Sequence, residues 1–131
     1  MKSFTLDIFT PFSHYYSDEV ESLQVCSEEY MLGILPNHAP LISTVTISEL
    51  VITKNSVKES YATSGGVIKV ENNKVELFLQ SIESVDEIDL DRAKKAESRA
   101  RERLATKEQG VDVLRAEIAL KKSLVRQDLK A

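Results

Sequence analysis

The chain changes character once, near Ile88. Upstream, short apolar and β-branched runs are broken by turn residues. Downstream there is no proline, one glycine and an Ala/Leu/Lys/Arg/Glu-rich tract with helical spacing. Long helices do not alternate with the strand runs, as the crossovers of a parallel sheet would require. The charge divides at the same place. Residues 1–88 hold 5 Lys+Arg against 13 Asp+Glu, a balance of −8; residues 89–131 hold 12 against 8, a balance of +4. A basic arm on an acidic body can be drawn to that body, to an anionic ligand or to an acidic partner.

The upstream part reads as strands. Phe4, Leu6 and Ile8 point one way and Thr5, Asp7 and Phe9 the other, which is the period of a strand packed on one face. Similar runs follow at 20–26, 41–46, 49–54, 57–63, 66–71 and 74–80. Asn72-Asn73 suits a tight hairpin, because Asn tolerates positive φ, and Lys54-Asn55-Ser56 marks a second turn. The spacing predicts an all-β flattened sandwich or barrel of about 8–10 antiparallel strands over 1–88.

Three local features qualify this body. Ser64-Gly65-Gly66 opens a strand, and paired glycines there predict a bulge or a close backbone approach. Residues 32–41 carry Pro36 and Pro40, which predicts a rigid surface loop with His38 at its tip, either a partner contact or a solvated histidine. The single Cys26 excludes an internal disulfide and, in its alternating run, is expected to be a buried structural thiol.

Asp89 is a fitting N-cap for a helix starting at Leu90. Leu90, Ala93, Ala96, Ala100 and Leu104 make a narrow apolar stripe. Periodicity weakens around Thr106–Gly110 and resumes with Val111, Leu114, Ile118, Val125 and Leu129, with Asp112 as a second cap. Two helices of about 18 residues, each ~27 Å long, are expected to form an antiparallel hairpin over 89–131. Its alanine-rich stripe buries little area, so the hairpin should be conditional on other contacts.

No catalytic motif is present. His14 and His38 lack companions at metal-ligand spacing, and neither a Walker A loop, G-x-G-x-x-G nor G-x-S-x-G occurs. No apolar run reaches the ~20 residues of a membrane helix, and the N-terminus does not read as a signal peptide. The hairpin cations are more informative. A turn centred near Gln109 sets Arg92 opposite Arg126, with Arg99 two turns along from Arg92 and Lys122 one turn before Arg126. Facing cations oppose closure unless an anion lies between them, and a polyphosphate is such an anion. Solvated charges on two surface helices are the alternative.

Taken together, Gly33-Ile34-Leu35-Pro36-Asn37-His38-Ala39-Pro40-Leu41, Ser64-Gly65-Gly66 and Ile88-Asp89-Leu90-Asp91-Arg92-Ala93 resemble the epsilon subunit of the bacterial rotary (F-type) ATP synthase. The last run is similar to that family's nucleotide-binding pattern, I/L-D-x-x-R-A. The resemblance spans essentially the whole chain. It implies a β-sandwich followed by a helical hairpin, in a non-catalytic subunit of the proton-translocating enzyme that couples the gamma subunit of the stalk to the membrane c-ring. It implies an arm that extends toward the alpha/beta catalytic head to inhibit ATP hydrolysis, and a monomer when isolated. No cofactor is required; ATP is the implied regulatory ligand, and neither nucleic acid binding nor membrane insertion is expected. The implied location is the cytoplasmic face of the bacterial cell membrane.

The nucleotide contacts that the resemblance implies are Glu83, Ile88, Asp89, Leu90, Arg92, Ala93, Arg99, Lys122 and Arg126; Met31 and His38 are the implied stalk or ring contacts. Position 122 is Lys where ATP-binding members have Arg, which supplies charge without a bidentate fork. Glu29-Tyr30-Met31 and Pro11-Phe12-Ser13-His14-Tyr15 also depart from the family's usual turns. A stand-alone ATP sensor and an unrelated β-sandwich adaptor are the competing readings. The lack of sustained heptads argues against a coiled-coil adaptor.

Overall fold

A computed structural model describes residues 2–106 and 112–130. Ten strands come first: β1 (Phe4–Phe9), β2 (His14–Val20), β3 (Ser22–Cys26), β4 (Met31–Ile34), β5 (Leu41–Val45), β6 (Ser48–Lys54), β7 (Val57–Thr63), β8 (Gly66–Glu71), β9 (Lys74–Leu79) and β10 (Ile82–Ser84). A 3-10 turn at Val85–Glu87 leads to helices α1 (Leu90–Thr106) and α2 (Val113–Lys130). One sheet runs β2-β1-β9-β8-β5 and the other β10-β7-β6-β3-β4. Their facing side chains, among them Phe4, Leu6, Ile8, Leu23, Leu50, Ile68 and Leu77, form one buried cluster.

The expected hairpin chemistry is present. Asn55-Ser56 and Asn72-Asn73 all have positive φ, between 51° and 63°, and they close β6–β7 and β8–β9 in direct register. Gly66 meets the close-approach expectation. A Cβ there would lie 1.9 Å from the Phe78 carbonyl oxygen on the neighbouring strand, which only a glycine avoids.

Several features differ from the sequence reading. β1 and β9 pair in parallel, although every other strand pair is antiparallel. No crossover helix is needed, because the seven intervening strands carry the chain around the sandwich. Leu32–Ile34 belongs to β4 with Leu32 and Ile34 buried, so the rigid loop is shorter, 35–40. Asn73 holds that loop: its Oδ1 accepts from Asn37 N at 2.8 Å while its Nδ2 donates to the Ser3 carbonyl at 3.0 Å. Cys26 is half-buried rather than buried, because strand alternation places it with exposed Gln24, opposite Leu23 and Val25.

The arm folds back on the body. α2 lies against β6, β7 and the 3-10 turn, and α1 packs on α2. That cover explains why Tyr61, Ala62 and Thr63 are buried in succession, against strand alternation: one face looks into the core and the other lies under α2. Both helix caps form as expected, with Asp89 Oδ1 accepting from Arg92 N and Asp112 Oδ1 from Arg115 N, each at 3.0 Å. The α1 stripe is buried or half-buried throughout. The α2 stripe packs only in its second half: Val125 and Leu129 are half-buried, whereas Leu114 and Ile118 are exposed and Ala116 and Ser123 are the buried residues. Small residues let the two helices approach closely, and Ser123 satisfies its hydroxyl on the Leu120 carbonyl at 2.7 Å. The proposed turn centre at Gln109 and the stripe residue Val111 lie outside the described residues.

Candidate functional site at the hinge

A cavity of about 380 Å³ opens where the arm meets the body, lined by Glu83, Glu87, Asp89, Arg92, Ala93, Ala96, Arg99 and Arg126. Each element contributes for a local reason. β10 carries Glu83 at its centre, paired with Ala62 of β7. The 3-10 turn is closed by a capping box, in which Ser84 Oγ accepts from Glu87 N and Glu87 Oε1 accepts from Ser84 N. The Asp89 cap starts α1, so its first turns present Arg92 and Arg99, while the small side chains of Ala93 and Ala96 leave room between them. Arg126 arrives from α2, and its Nε donates to Glu83 Oε1 at 2.6 Å. Lys130 Nζ adds a 2.9 Å bond to the Val85 carbonyl. Arm and body are therefore joined by charged hydrogen bonds from the last turns of α2 to β10 and the 3-10 turn.

Three carboxylates and three guanidinium groups share the cavity, and they are not equivalent. Glu83 is paired with Arg126, and Asp89 is tied to the amide end of α1. Glu87 is held by neutral donors, the Tyr15 hydroxyl and Ser84 N. The Tyr15 hydrogen bond, helped by those from Ser84, keeps its carboxyl below the usual range against the opposing effect of burial. Arg92 and Arg99 are exposed at the cavity edge, in reach of an anion entering from solvent.

Six of the nine residues expected at a nucleotide site line this cavity: Glu83, Asp89, Arg92, Ala93, Arg99 and Arg126. The other three do not. Ile88 is buried beneath the hinge and Leu90 is half-buried. Lys122 lines an adjoining, much smaller cleft of about 10 Å³ with Ala62, Thr63, Ser64, Ser81 and Val125, and Arg126 lines both. It sits one turn before Arg126, where α2 faces the end of β7. Glu87 and Ala96 line the cavity without having been expected. Glu87 was visible in principle, because Ser84-Val85-Asp86-Glu87 has the S-x-x-E capping-box pattern. Ala96 lies one turn after Arg92 and Ala93.

Met31 and His38 are not brought together. Met31 is exposed at the start of β4 and follows exposed Tyr30. The Cys26 carbonyl, at the paired end of β3, accepts from Thr46 N, so this loop shares an end of the sandwich with residues 46 and 65. His38 lies at the opposite end, in the loop held by Asn73, with Nδ1 2.7 Å from the Ala39 carbonyl.

Comparison with known proteins settles the family. The β-sandwich domain of the ATP synthase delta/epsilon chain matches residues 3–85, and the long α-helix domain of the same chain matches residues 86–129. The chain belongs to the ATP synthase epsilon chain family. An ATP synthase epsilon chain of Desulfitobacterium hafniense is 41% identical over 124 residues, covering 95% of this chain and 93% of that one. That of Bacillus licheniformis is 36% identical over 129 residues, covering 98% of each. A chain in the cryo-EM structure of the Euglena gracilis mitochondrial ATP synthase (OSCP/F1/c-ring) has a TM-score of 0.86 at 20% identity, covering 98% of this chain and 81% of its own length. That likeness concerns the fold. Among the described residues no helix of this epsilon chain relative is long and apolar enough to cross a membrane.

Proposed function

We propose that this chain is a non-catalytic central-stalk subunit of a proton-translocating ATP synthase, and that its folded hairpin is the released state of an inhibitory arm. In the extended state the arm reaches the alpha/beta head and obstructs ATP hydrolysis. ATP in the hinge cavity holds the folded state. The observation that carries this reading is the convergence of Arg92 and Arg99 from α1 with Arg126 from α2 on one cavity at the hinge. Facing cations resist closure, and a polyphosphate between them reverses that effect. Binding to the folded state alone shifts the population by its differential affinity.

The sandwich offers three places for its partners. The outer face of the sheet not covered by α2 exposes Ile42, Val67 and Phe78. Val67 and Phe78 are register neighbours, and Phe78 stacks on Phe9 with ring centroids 5.4 Å apart. This apolar face suits the gamma subunit. One end of the sandwich carries Phe12, Tyr30 and Met31, all exposed, and suits the c-ring. His38, at the other end, is a contact toward the stalk. The chain then acts peripherally, on the cytoplasmic face of a bacterial membrane.

Deleting residues 89–131 and reassembling the enzyme tests the inhibitory role. Hydrolysis is expected to rise at low ATP and to change less at high ATP. Unchanged hydrolysis at every ATP concentration, with assembly verified, removes that role and leaves a structural coupler.

A further inference from the structure

The 3-10 turn Val85–Glu87 separates two cavities. On one side is the hinge cavity, to which Glu87 belongs. On the other is a cavity of about 550 Å³ whose walls include Tyr15, Tyr16, Tyr61 and Asp86. One hydrogen bond crosses between them, from the Tyr15 hydroxyl to Glu87 Oε1. Tyr15 is itself braced edge-on by Tyr61, with ring centroids 6.4 Å apart. Ser84 N donates to the same Glu87 oxygen at 3.0 Å. Among the described residues, the hydrogen bonds of the Glu87 carboxylate are confined to Oε1, which leaves Oε2 open to a ligand.

The chemistry of that oxygen restricts what it can meet. Neutral donors hold Glu87 ionised without neutralising its charge. An ionised carboxylate repels phosphate, so it cannot serve the polyanionic end of a nucleotide, which the guanidinium groups suit. It can accept a hydrogen bond from a neutral hydroxyl or amino group. Resting on the nucleotide reading of the cavity, we propose that Glu87 reads a neutral hydrogen-bond donor of the bound nucleotide, a ribose hydroxyl or a base amino group. Tyr15, which does not line the hinge cavity, is the positioning residue that aims Glu87 from behind. The hinge cavity then has two chemically distinct ends, one that attracts phosphate and one that selects the nucleoside. A site built to accept such a bond rejects an analogue lacking the donor far more strongly than shape alone would.

The test is a calorimetric titration of the full chain with ATP, 2′-deoxy-ATP, 3′-deoxy-ATP and purine riboside triphosphate, which lacks the amino group. At least one analogue is expected to bind tenfold or more weakly than ATP, and which one identifies the donor. Glu87→Gln keeps the hydrogen bonds from Tyr15 and Ser84 but turns the open oxygen into a donor, so the discrimination should vanish whatever happens to overall affinity. Tyr15→Phe, which keeps the ring, should reduce the discrimination several-fold with little change in the thermal midpoint. The ratio of affinities is the readout, because a purely structural effect weakens all four ligands alike. Equal binding of all four ligands by the unmodified chain, or full discrimination retained in Glu87→Gln, overturns the role of Glu87. Full discrimination retained in Tyr15→Phe overturns the positioning role. Failure of ATP itself to bind the unmodified chain is a different result, and it removes the nucleotide reading on which the proposal rests.

Discussion

The sandwich and the hairpin are built on opposite principles. The sandwich buries large side chains completely: Leu6, Ile8, Leu23, Leu50, Ile68 and Leu77 are at 0% exposure. The hairpin buries Ala93, Ala100, Ala116 and Ser123, and it leaves Leu114 and Ile118 exposed. At ~25 cal/mol per Å² of apolar area, alanine faces contribute a fraction of what leucines do. The sandwich is held by its core. The hairpin is held by small-residue packing and by charged hydrogen bonds at the hinge, Arg126 to Glu83 and Lys130 to the Val85 carbonyl. Contacts of that kind can be exchanged for others at modest cost, which suits an arm with two states.

The sharpest way to break this contrast is to truncate one leucine in each region. Leu77→Ala should destabilise the protein by about 2–5 kcal/mol, the range for a buried leucine whose cavity only partly collapses. Leu114→Ala, at 67% exposure, should stay within about 0.5 kcal/mol. Denaturant midpoints of the two variants decide the matter; comparable losses would mean that α2 packs as part of the core.

The next largest effect separates the hairpin's cations from one another. Arg92→Ala and Arg126→Ala should each weaken ATP binding tenfold or more, equivalent to about 1.4 kcal/mol per decade. Lys122→Ala should weaken it less than either arginine variant, because Lys122 lies in the adjoining cleft and does not itself line the hinge cavity. Calorimetric titration measures all three. An equal loss in Lys122→Ala would put all four cations on one ligand.

The smallest expected effect concerns acid. Asp7 is nearly buried, and hydrogen bonds from Ser17 and then His14, with the charges of His14 and Lys74, outweigh desolvation and lower its pKa. A depressed folded pKa gives stability that is complete above the unfolded value near 3.8 and is lost as pH falls through the folded value. Asp7→Asn should therefore flatten the acid limb of the sandwich's stability below about pH 4. Glu97 of the hairpin, whose carboxyl pKa is also lowered by hydrogen bonds from Gln127 and Arg101, should contribute a smaller step, because solvent screens it more. Urea midpoints between pH 2 and pH 6 distinguish the two.

The same contrast decides what could be read from the sequence. Local rules worked where a residue's role is set by its neighbours in the chain: the Asn turns, the Gly66 approach, the Asp89 and Asp112 caps and the α1 stripe. They failed where a partner element decides. The parallel β1–β9 pair depends on strands far apart in sequence. β2 was missed because its burial alternates weakly at a sheet edge, and β10 because it is three residues long. The packed face of α2 follows from its position between α1 and the sheet, not from its own periodicity, so Leu114 and Ile118 pointed the wrong way. Lys122 lies in the adjoining cleft toward β7, because opposition across a hairpin ignores the sheet lying on the other side of α2. Of the expected residues that line the cavity, Arg92, Arg99 and Arg126 were legible from hairpin spacing and Glu83, Asp89 and Ala93 from the family resemblance, whereas Glu87, though it ends an S-x-x-E pattern, was not singled out.

Hydrogen exchange of the full chain with and without ATP tests whether the arm is a second, ligand-held state on a fixed body. Without ATP the amides of α1 and α2 are expected to exchange much faster than those of β1, β8 and β9. ATP is expected to slow the helices while leaving the strands unchanged, as when a ligand binds only the folded arm. Equal protection of helices and strands without ATP, or helix exchange that ATP at millimolar concentration does not slow, would contradict such a state.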